Sequence, residues 1–140
     1  MEISEFYTNF AGMLQLIKKT GSKVTKQHIG KIGEDRAVVY LQACGYTVLE
    51  RNWHLGHKEV DIICEIEDTI VIVEVKTRGE VNDRPSELLD YKKKQNLLQA
   101  GSAYVRMNKL KKEVRFDLIL VTGRNYKIEH IQEAIHTFDV

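Results

Sequence analysis

Four charged side chains interrupt two apolar stretches between residues 59 and 76. Glu59 and Asp61 lie in the first stretch, and Glu74 and Lys76 lie in the second. Moving an unpaired charge out of water is costly, so an apolar strand rarely carries one without a partner. Two neighbouring carboxylates repel each other unless a cation lies between them, and Mg²⁺ is a cation that carboxylates bind in proteins. The pattern therefore indicates a divalent-metal site with Asp61 and Glu74 as ligands.

Lys76 extends this hypothesis from metal binding to catalysis. It follows Glu74 by two positions, and residues two apart on a strand share a face of the sheet. A metal held by the two acids can supply a bound water as nucleophile and neutralise charge on a phosphodiester. Lys76 would then orient that water or stabilise the developing negative charge.

The same alternation predicts how the two stretches meet. As the strands of a hairpin, they place Asp61 beside Glu74 on one face of a sheet. The opposite face of the first stretch is wholly apolar and is predicted to pack against a helix. Its residues are Val60, Ile62, Cys64 and Ile66.

A salt bridge at the end of the sheet is the alternative interpretation of Glu74 and Lys76. An acid and a lysine two positions apart are common in proteins, and the chain carries a second copy at Asp90 and Lys92. That copy lies in polar, helical sequence, whereas Glu74 ends an apolar run. The residues alone leave both interpretations open.

The elements around these residues predict an α/β fold, with a mixed β-sheet flanked by helices. A helix is predicted over 31–44, closed by Gly45 at the C′ position, and another over 86–107, with Ser86 as N-cap. Strands are predicted over 46–53, 59–66, 69–76, 114–121 and 127–131. Residues 4–19 have the spacing of an amphipathic helix.

Glu34 shares the inward-facing stripe of the first predicted helix with Ala37 and Val38. An acid there is either a first-turn residue favoured by the helix dipole or part of a site. The local sequence favours the dipole.

Composition is that of one soluble domain: 140 residues, 43% hydrophobic and 29% charged, with a net charge of +1. No apolar run approaches the ~20 residues needed to span a bilayer, and the N-terminus has its acids before its basic residues, the reverse of a signal peptide. We therefore expect a cytoplasmic protein that does not bind a membrane. Cys44 and Cys64 lack metal-ligand spacing and are predicted to be small buried hydrophobes.

Basic residues concentrate in the second half of the chain. Lys92, Lys93 and Lys94 are contiguous, and five more follow between residues 106 and 115. Such a segment can meet phosphates, but a solvated helix face explains it equally well.

Several short motifs in this order resemble the YraN-like family of bacterial proteins. That family is regarded as a group of predicted endonucleases related to archaeal Holliday-junction resolvases, within the PD-(D/E)xK nuclease superfamily. The resemblance covers roughly residues 28–135. Its residues are Gly30-Lys31-Ile32-Gly33-Glu34, Ala37, Tyr40-Leu41, Gly45-Tyr46, Arg51-Asn52, Glu59-Val60-Asp61, Val73-Glu74-Val75-Lys76-Thr77-Arg78 and Arg115-Phe116-Asp117.

The resemblance implies a restriction-endonuclease-like nuclease domain over 28–140, preceded by an N-terminal extension over 1–27. It implies that Asp61, Glu74 and Glu34 are metal ligands and catalytic residues, which reverses the local interpretation of Glu34. Lys76 would be the catalytic lysine, and Glu59 would support the site. It further implies nucleic-acid contacts by Arg78, Lys93, Lys94 and Gln95.

One departure concerns the turn before Glu59. The family often has glycine directly before this acid, whereas this chain has His57-Lys58 after Gly56, so the hairpin turn is expected to differ.

The leading functional hypothesis is an endonuclease that uses Mg²⁺, or alternatively Mn²⁺, to hydrolyse phosphodiester bonds in branched or structured DNA. Related resolvases act as symmetric dimers, which makes a homodimer an expectation. The main alternative is a non-catalytic module of the same fold that binds nucleic acid or recruits a partner. A protein-interaction role centred on residues 4–19 is a third hypothesis. No aromatic platform for stacking bases is obvious in the sequence.

Overall fold

The computed structural model describes residues 25–79 and 88–136, which form two helices and five strands. The predicted helix over 4–19 and most of the predicted extension over 1–27 lie outside these residues. The elements in chain order are α1 (Lys26–Ala43), β1 (Thr47–Leu55), β2 (Lys58–Ile66), β3 (Thr69–Arg78), α2 (Tyr91–Met107), β4 (Glu113–Thr122) and β5 (Lys127–Ile131).

The five strands form one mixed sheet in the order β1-β2-β3-β4-β5. β3 and β4 are parallel, and the other neighbouring pairs are antiparallel. α2 lies in the connection between the two parallel strands, as parallel pairing requires. The predicted α/β fold with a mixed sheet and flanking helices is confirmed, and each predicted strand lies within two residues of its observed bounds.

Alternation along β3 separates two apolar layers, one on each face of the sheet. Ile70 and Ile72 pack with Leu97 and Tyr104 of α2, whereas Val71, Val73 and Val75 pack with Ala37 and Leu41 of α1. The two helices therefore cover opposite faces. Among the described residues, no helix is long and apolar enough to cross a membrane.

Both ends of α1 follow from local sequence. Thr25 is the N-cap, and its side chain accepts a hydrogen bond from the His28 N–H. At the other end Gly45 has a φ of +92°, and the N–H of Tyr46 donates to the Leu41 carbonyl oxygen over 3.0 Å. This is a Schellman ending with Gly45 at C′, as predicted.

The start of α1 corrects the prediction for Glu34. The helix begins at Lys26, five residues earlier than predicted, so Glu34 lies in its third turn rather than its first. The dipole of a helix acts on the first turn, so it does not explain this acid.

The start of α2 also differs from the sequence prediction. The helix begins at Tyr91, and Asp90 is its N-cap, with a carboxylate that accepts the Lys93 N–H over 2.7 Å. The predicted N-cap, Ser86, lies outside the described residues, and residues 88–90 are not α-helical. The second acid–lysine pair, Asp90 and Lys92, is thus part of a helix cap.

The prediction for the cysteines is half right. Cys64 is buried in β2, but Cys44 is exposed at the end of α1, where the chain turns towards β1.

Candidate active site

The side chain of Asp61 accepts a hydrogen bond from the backbone of the neighbouring strand. The backbone register of β2 with β3 runs from Ile66 opposite Thr69 to Ile62 opposite Val73. One residue further, the Asp61 carboxylate accepts the N–H of Val75 over 2.8 Å. A side-chain oxygen therefore satisfies a backbone donor of β3, and this bond holds Asp61 next to Glu74.

Glu74 is buried between two lysines. The residue is 4% exposed, its Oε1 lies 3.5 Å from Lys76 Nζ, and its Oε2 lies 3.3 Å from Lys93 Nζ. The contact with Lys93 has the distance of an ion pair, but Oε2 has no well-aligned hydrogen-bond donor among the described residues. Lys76 of the same strand therefore compensates the negative charge at Glu74 Oε1, and Lys93 of α2 compensates it at Oε2.

Glu34 reaches the same place from α1. Burial, the Asp61 charge and a hydrogen bond with Asp61 raise the pKa of Glu34 to about 7. Burial and the same Asp61 charge raise the pKa of Glu74 to about 7, against the opposing effect of Lys93 and Lys76. Asp61 thus interacts with both glutamates, so acids of three separate elements lie around it.

Gly33 allows α1 to approach β3 closely enough for this. A Cβ at Gly33 would lie 1.9 Å from Thr77 Oγ1 and 3.1 Å from Thr77 Cβ. Any larger residue would push the helix away from the end of β3 that carries Lys76. The glycine beside Glu34 is therefore required by packing.

An inversion of the strand pleat directs Asp61 towards these partners. Arg51 of β1 reaches Asp35 on α1 over 2.7 Å, whereas Trp53 packs edge-on against Tyr104 of α2, so residues two apart point to opposite faces. Asn52 between them has a φ of +50°, a conformation that asparagine tolerates better than most residues.

The pleat of β2 also inverts, at the position opposite Asn52. Val60, opposite Trp53, packs in the layer under α2, whereas Ile62 packs in the layer under α1. The sequence prediction that Val60 shares a face with Ile62 is wrong, because strict alternation fails at Asp61, the residue between them.

The other predicted site residues lie at different distances from the acids. Lys93 contacts Glu74 directly. Glu59 is exposed and lies 3.9 Å from His54 Nε2, and its charge is the weakest of the effects on the Glu34 pKa. Arg78 is exposed and donates to the carbonyl oxygen of its neighbour Thr77. Of the remaining two, Lys94 is half-buried and Gln95 donates to Tyr91 Oη.

The donor set fits a hard divalent cation. Three carboxylates converge, two of them have raised pKa values, and the buried Glu74 Oε2 has no aligned donor in the part of the chain that is described. Each of these features would be relieved by a cation bound to oxygen. The described acids, histidines and cysteines do not form a group of three at coordinating positions, and the Glu74 oxygens lie against Lys76 and Lys93.

A second polar cluster lies on the α1 face of the sheet, centred on Asp117 of β4. Asp117 is 2% exposed, and Arg115 Nε and Nη2 donate to its two oxygens, each over 2.9 Å. His130 Nε2 lies 2.7 Å from Asp117 Oδ2, and its Nδ1 lies 3.1 Å from Tyr40 Oη on α1. Arg115 also donates to Tyr46 Oη over 2.7 Å. These bonds, with the Arg115 charge, hold the pKa of Asp117 below its usual range, although burial opposes them.

Sequence reasoning assigned no role to this cluster. Arg115, Asp117, Tyr40 and Tyr46 were noticed only as parts of short motifs, and His130 was missed. Its only signal was its place two residues after Ile128, on the less exposed side of a short alternating strand. The cluster ties α1 to β4 and β5, and so supports the helix that carries Glu34.

Comparison with known proteins places these residues in a recognised group. The uncharacterised protein family UPF0102 matches residues 33–121, a span that contains Glu34, Asp61, Glu74 and Lys76. A UPF0102 protein of Bacteroides thetaiotaomicron is 42% identical over 111 residues, which are 77% of this chain and 92% of that protein. A UPF0102 protein of Persephonella marina is 43% identical over 107 residues, 75% of this chain and 90% of that protein.

Among solved structures, the crystal structure of SSO0001 covers 93% of this chain and 63% of its own, with a TM-score of 0.42 and 13% identity. A likeness this distant carries no argument.

Proposed function

The chain belongs to the uncharacterised protein family UPF0102, and from the geometry of its acids we propose that it is a metal-dependent endonuclease that hydrolyses DNA phosphodiester bonds. The observation that carries the proposal is the meeting of Glu34, Asp61 and Glu74 from three elements, with Lys76 Nζ 3.5 Å from Glu74 Oε1. A salt bridge alone would explain Glu74 and Lys76. It does not explain why Glu34 and Glu74 are both placed beside Asp61 at an electrostatic cost.

The three acids would hold Mg²⁺ or Mn²⁺, which when bound supplies a polarised water and neutralises phosphate charge. Two lysine side chains would supply the contacts with the phosphates. Lys76 Nζ lies next to the Glu74 carboxylate. It would donate a hydrogen bond to a phosphate oxygen while negative charge develops on that oxygen. Lys93, from the first turn of α2, would take up a second phosphate contact. Branched or otherwise structured DNA is the substrate we propose.

The direct test measures metal binding and cleavage separately. Calorimetric titration with Mn²⁺ should show binding by the wild type and weaker binding by Asp61→Asn, because one of the three carboxylates is neutralised. Cleavage of junction, flap, single-stranded and duplex DNA should need Mg²⁺ or Mn²⁺ and fall about 10²–10³-fold in Lys76→Met, the usual effect of removing one transition-state donor. Lys127→Met, at an exposed position on β5, is the control and should cleave normally.

Two results would count against the enzyme. Failure of the wild type to bind divalent metal would remove the basis of the proposal. Cleavage that survives Glu74→Ala would indicate a contaminating nuclease.

A non-catalytic nucleic-acid-binding module is the second candidate, and one observation favours it. Lys76 and Lys93 already lie at ion-pair distance from the Glu74 oxygens, so positive charge is present there without a metal. DNA binding that is lost at high salt, but is unchanged by chelation of metal and by Lys76→Ala, would support this function instead.

Stability should fall as pH rises, because burial and Asp61 raise the pKa of Glu74 to about 7. Between the ordinary value of 4.5 and about 7 the folded state holds a proton that the unfolded state has lost. The contribution of Glu74 to stability is therefore greatest below this window and decreases through it, by about 2–3 kcal/mol for this buried side chain. Urea unfolding in chelator at pH 5 and pH 8 measures the change.

Glu74→Gln is the control, and subtracting its pH profile removes the contribution of histidines. The variant should be less pH-dependent than the wild type and more stable than it at pH 8. Mg²⁺ should stabilise the wild type more at pH 8 than at pH 5, since metal binding needs ionised carboxylates. A wild-type stability that rises over this range, or an equal slope in the variant, would contradict the prediction.

A further inference from the structure

The outer face of α2 has the composition of a nucleic-acid contact. The helix carries four cations, Lys92, Lys93, Lys94 and Arg106, and no acid, although acids make up 20 of the 140 residues of the chain. Its buried face packs on the sheet through Leu97, Ala100, Gly101 and Tyr104. The opposite face is left for solvent or a partner and carries Arg106, with Lys92 at its margin, whereas Lys93 reaches inward to Glu74. Its net positive charge is complementary to phosphate.

A line of exposed or half-exposed polar side chains runs along this outer face, which we call the α2 strip. The spacing of Tyr91, Gln95, Ser102 and Arg106, at i, i+4, i+11 and i+15, keeps them on one side of the helix, and Gln99 lies beside them. Fifteen residues of helix span about 22 Å, enough for a few nucleotides of extended strand.

Tyr91 stands at one end of the α2 strip. It is 58% exposed, which is unusual for a large aromatic side chain, and Gln95 Nε2 donates to its Oη over 2.8 Å. This hydrogen bond holds the phenol along the helix and reduces the conformational entropy lost when something packs on the ring. This stacking surface was not predictable from the sequence, because the exposure of a tyrosine depends on how its helix packs.

The other end of the strip is a shallow basic cavity of about 370 Å³. Lys58, the first residue of β2, meets Gln99, Ser102 and Arg106 there, over an apolar floor that includes Leu55 and Leu98. Two cations with a hydroxyl and an amide are suited to the phosphates and bases of an oligonucleotide.

The α2 strip leads to the candidate active site. Lys93 belongs to the same helical turn as Tyr91, and its ammonium lies 3.3 Å from Glu74. A strand bound along the strip would therefore have one end at the helical turn from which Lys93 reaches Glu74, on the other side of the helix.

We propose that the α2 strip and Lys58 bind a single-stranded segment of DNA, with one unpaired base stacked on Tyr91. Stacking selects a single strand, because the faces of duplex bases are already covered by their neighbours. Because the strip ends at the turn of α2 that supplies Lys93 to Glu74, a single-stranded tail or flap is the substrate class, and this last step rests on the proposed nuclease function. The binding itself does not require cleavage.

The test measures binding by fluorescence anisotropy in chelator, with a labelled oligothymidylate about 12 nucleotides long. Tyr91→Ala should weaken binding by about 5- to 150-fold, the range expected for one stacked base. Tyr91→Phe keeps the ring and should bind within a few-fold of the wild type. Met107→Ala, a second exposed apolar side chain on the same helix, is the matched control and should have no effect.

Lys58→Ala and Arg106→Ala should each reduce the slope of log affinity against log salt by about 1, whereas Tyr91→Ala should leave it unchanged. Equal affinity of Tyr91→Ala and wild type, or a preference of the wild type for duplex of the same length, would overturn the inference.

Cleavage assays separate this inference from the proposed function. If Tyr91-dependent binding is found but no DNA is cut with Mg²⁺ or Mn²⁺, the nuclease fails and the binding surface stands. If cutting depends on Glu74 while Tyr91→Ala binds like the wild type, the binding surface fails and the nuclease stands.

Discussion

Asp117→Ala is expected to destabilise the protein by about 3–5 kcal/mol, because it leaves the Arg115 guanidinium without its bidentate partner in a buried setting. It also removes the acceptor for His130 and for the N–H of Glu133, which donates to Asp117 Oδ1 over 3.1 Å. Urea unfolding at pH 7 measures the loss. Since the alanine variant risks not folding, Asp117→Asn provides a second, milder measurement, with an expected cost of about 1–3 kcal/mol.

Asp35→Ala is the matched control, because it removes a salt bridge whose side chains are more exposed. Asp35 pairs with Arg51 over 2.7 Å, but both side chains are about one-third exposed, so its loss should cost less than about 1 kcal/mol. Equal effects of Asp117→Ala and Asp35→Ala would show that the Asp117 cluster contributes nothing beyond a surface pair. Because the pKa of Asp117 lies below its ordinary value of 3.8, its contribution is present above that pH and is lost on further acidification.

Gly33→Ala is expected to cost about 2–4 kcal/mol and to weaken metal binding at the same time. The new Cβ would lie 1.9 Å from Thr77 Oγ1, and the Cβ and Cγ2 of Thr77 are also within 3.3 Å, so rotation of this stiff, branched side chain does not clear the space. The helix must therefore move away from β3. Glu34, the next residue, moves with it, so the loss of Mn²⁺ affinity should accompany the loss of stability.

Gly30→Ala is the control in the same helix. Among the described residues nothing lies within 4 Å of a Cβ at Gly30, so alanine should be neutral or stabilise the helix by up to about 1 kcal/mol. Thr77→Ala removes the atom that clashes and should recover part of the loss in the double variant. Additive effects of Gly33→Ala and Thr77→Ala would show that the clash is not the cause.

The strands and the pairing of Asp61 with Glu74 were accessible from the sequence, because hydrophobic alternation and short turns are local signals. Gly56 and Glu67 take positive φ values in the two turns, and the register on either side is set by the strands they join. Lys76 follows Glu74 on the same strand, so its placement needed no long-range information. The catalytic and metal-binding roles of these residues stay predictions.

Other parts of the site depend on packing between distant segments. The place of Glu34 was misjudged locally because the start of α1 was taken five residues too late, so the acid seemed to belong to the first turn. The contact of Lys93 with Glu74 depends on how α2 crosses the sheet. The inversion at Asn52 and Asp61 breaks the alternation rule on which the face assignments were built, and Val60 was therefore assigned to the wrong layer.

The two-residue turn between β2 and β3 also has a consequence for the order of folding. Asp61 and Glu74 are thirteen positions apart and joined by a hairpin, so bringing them together costs little loop-closure entropy. Glu34 and Lys93 arrive only when the helices dock, through contacts between segments much further apart in the chain. We therefore expect the pair of acids to form with only Lys76 beside it, and the field of these acids to favour the later docking of α2 with Lys93.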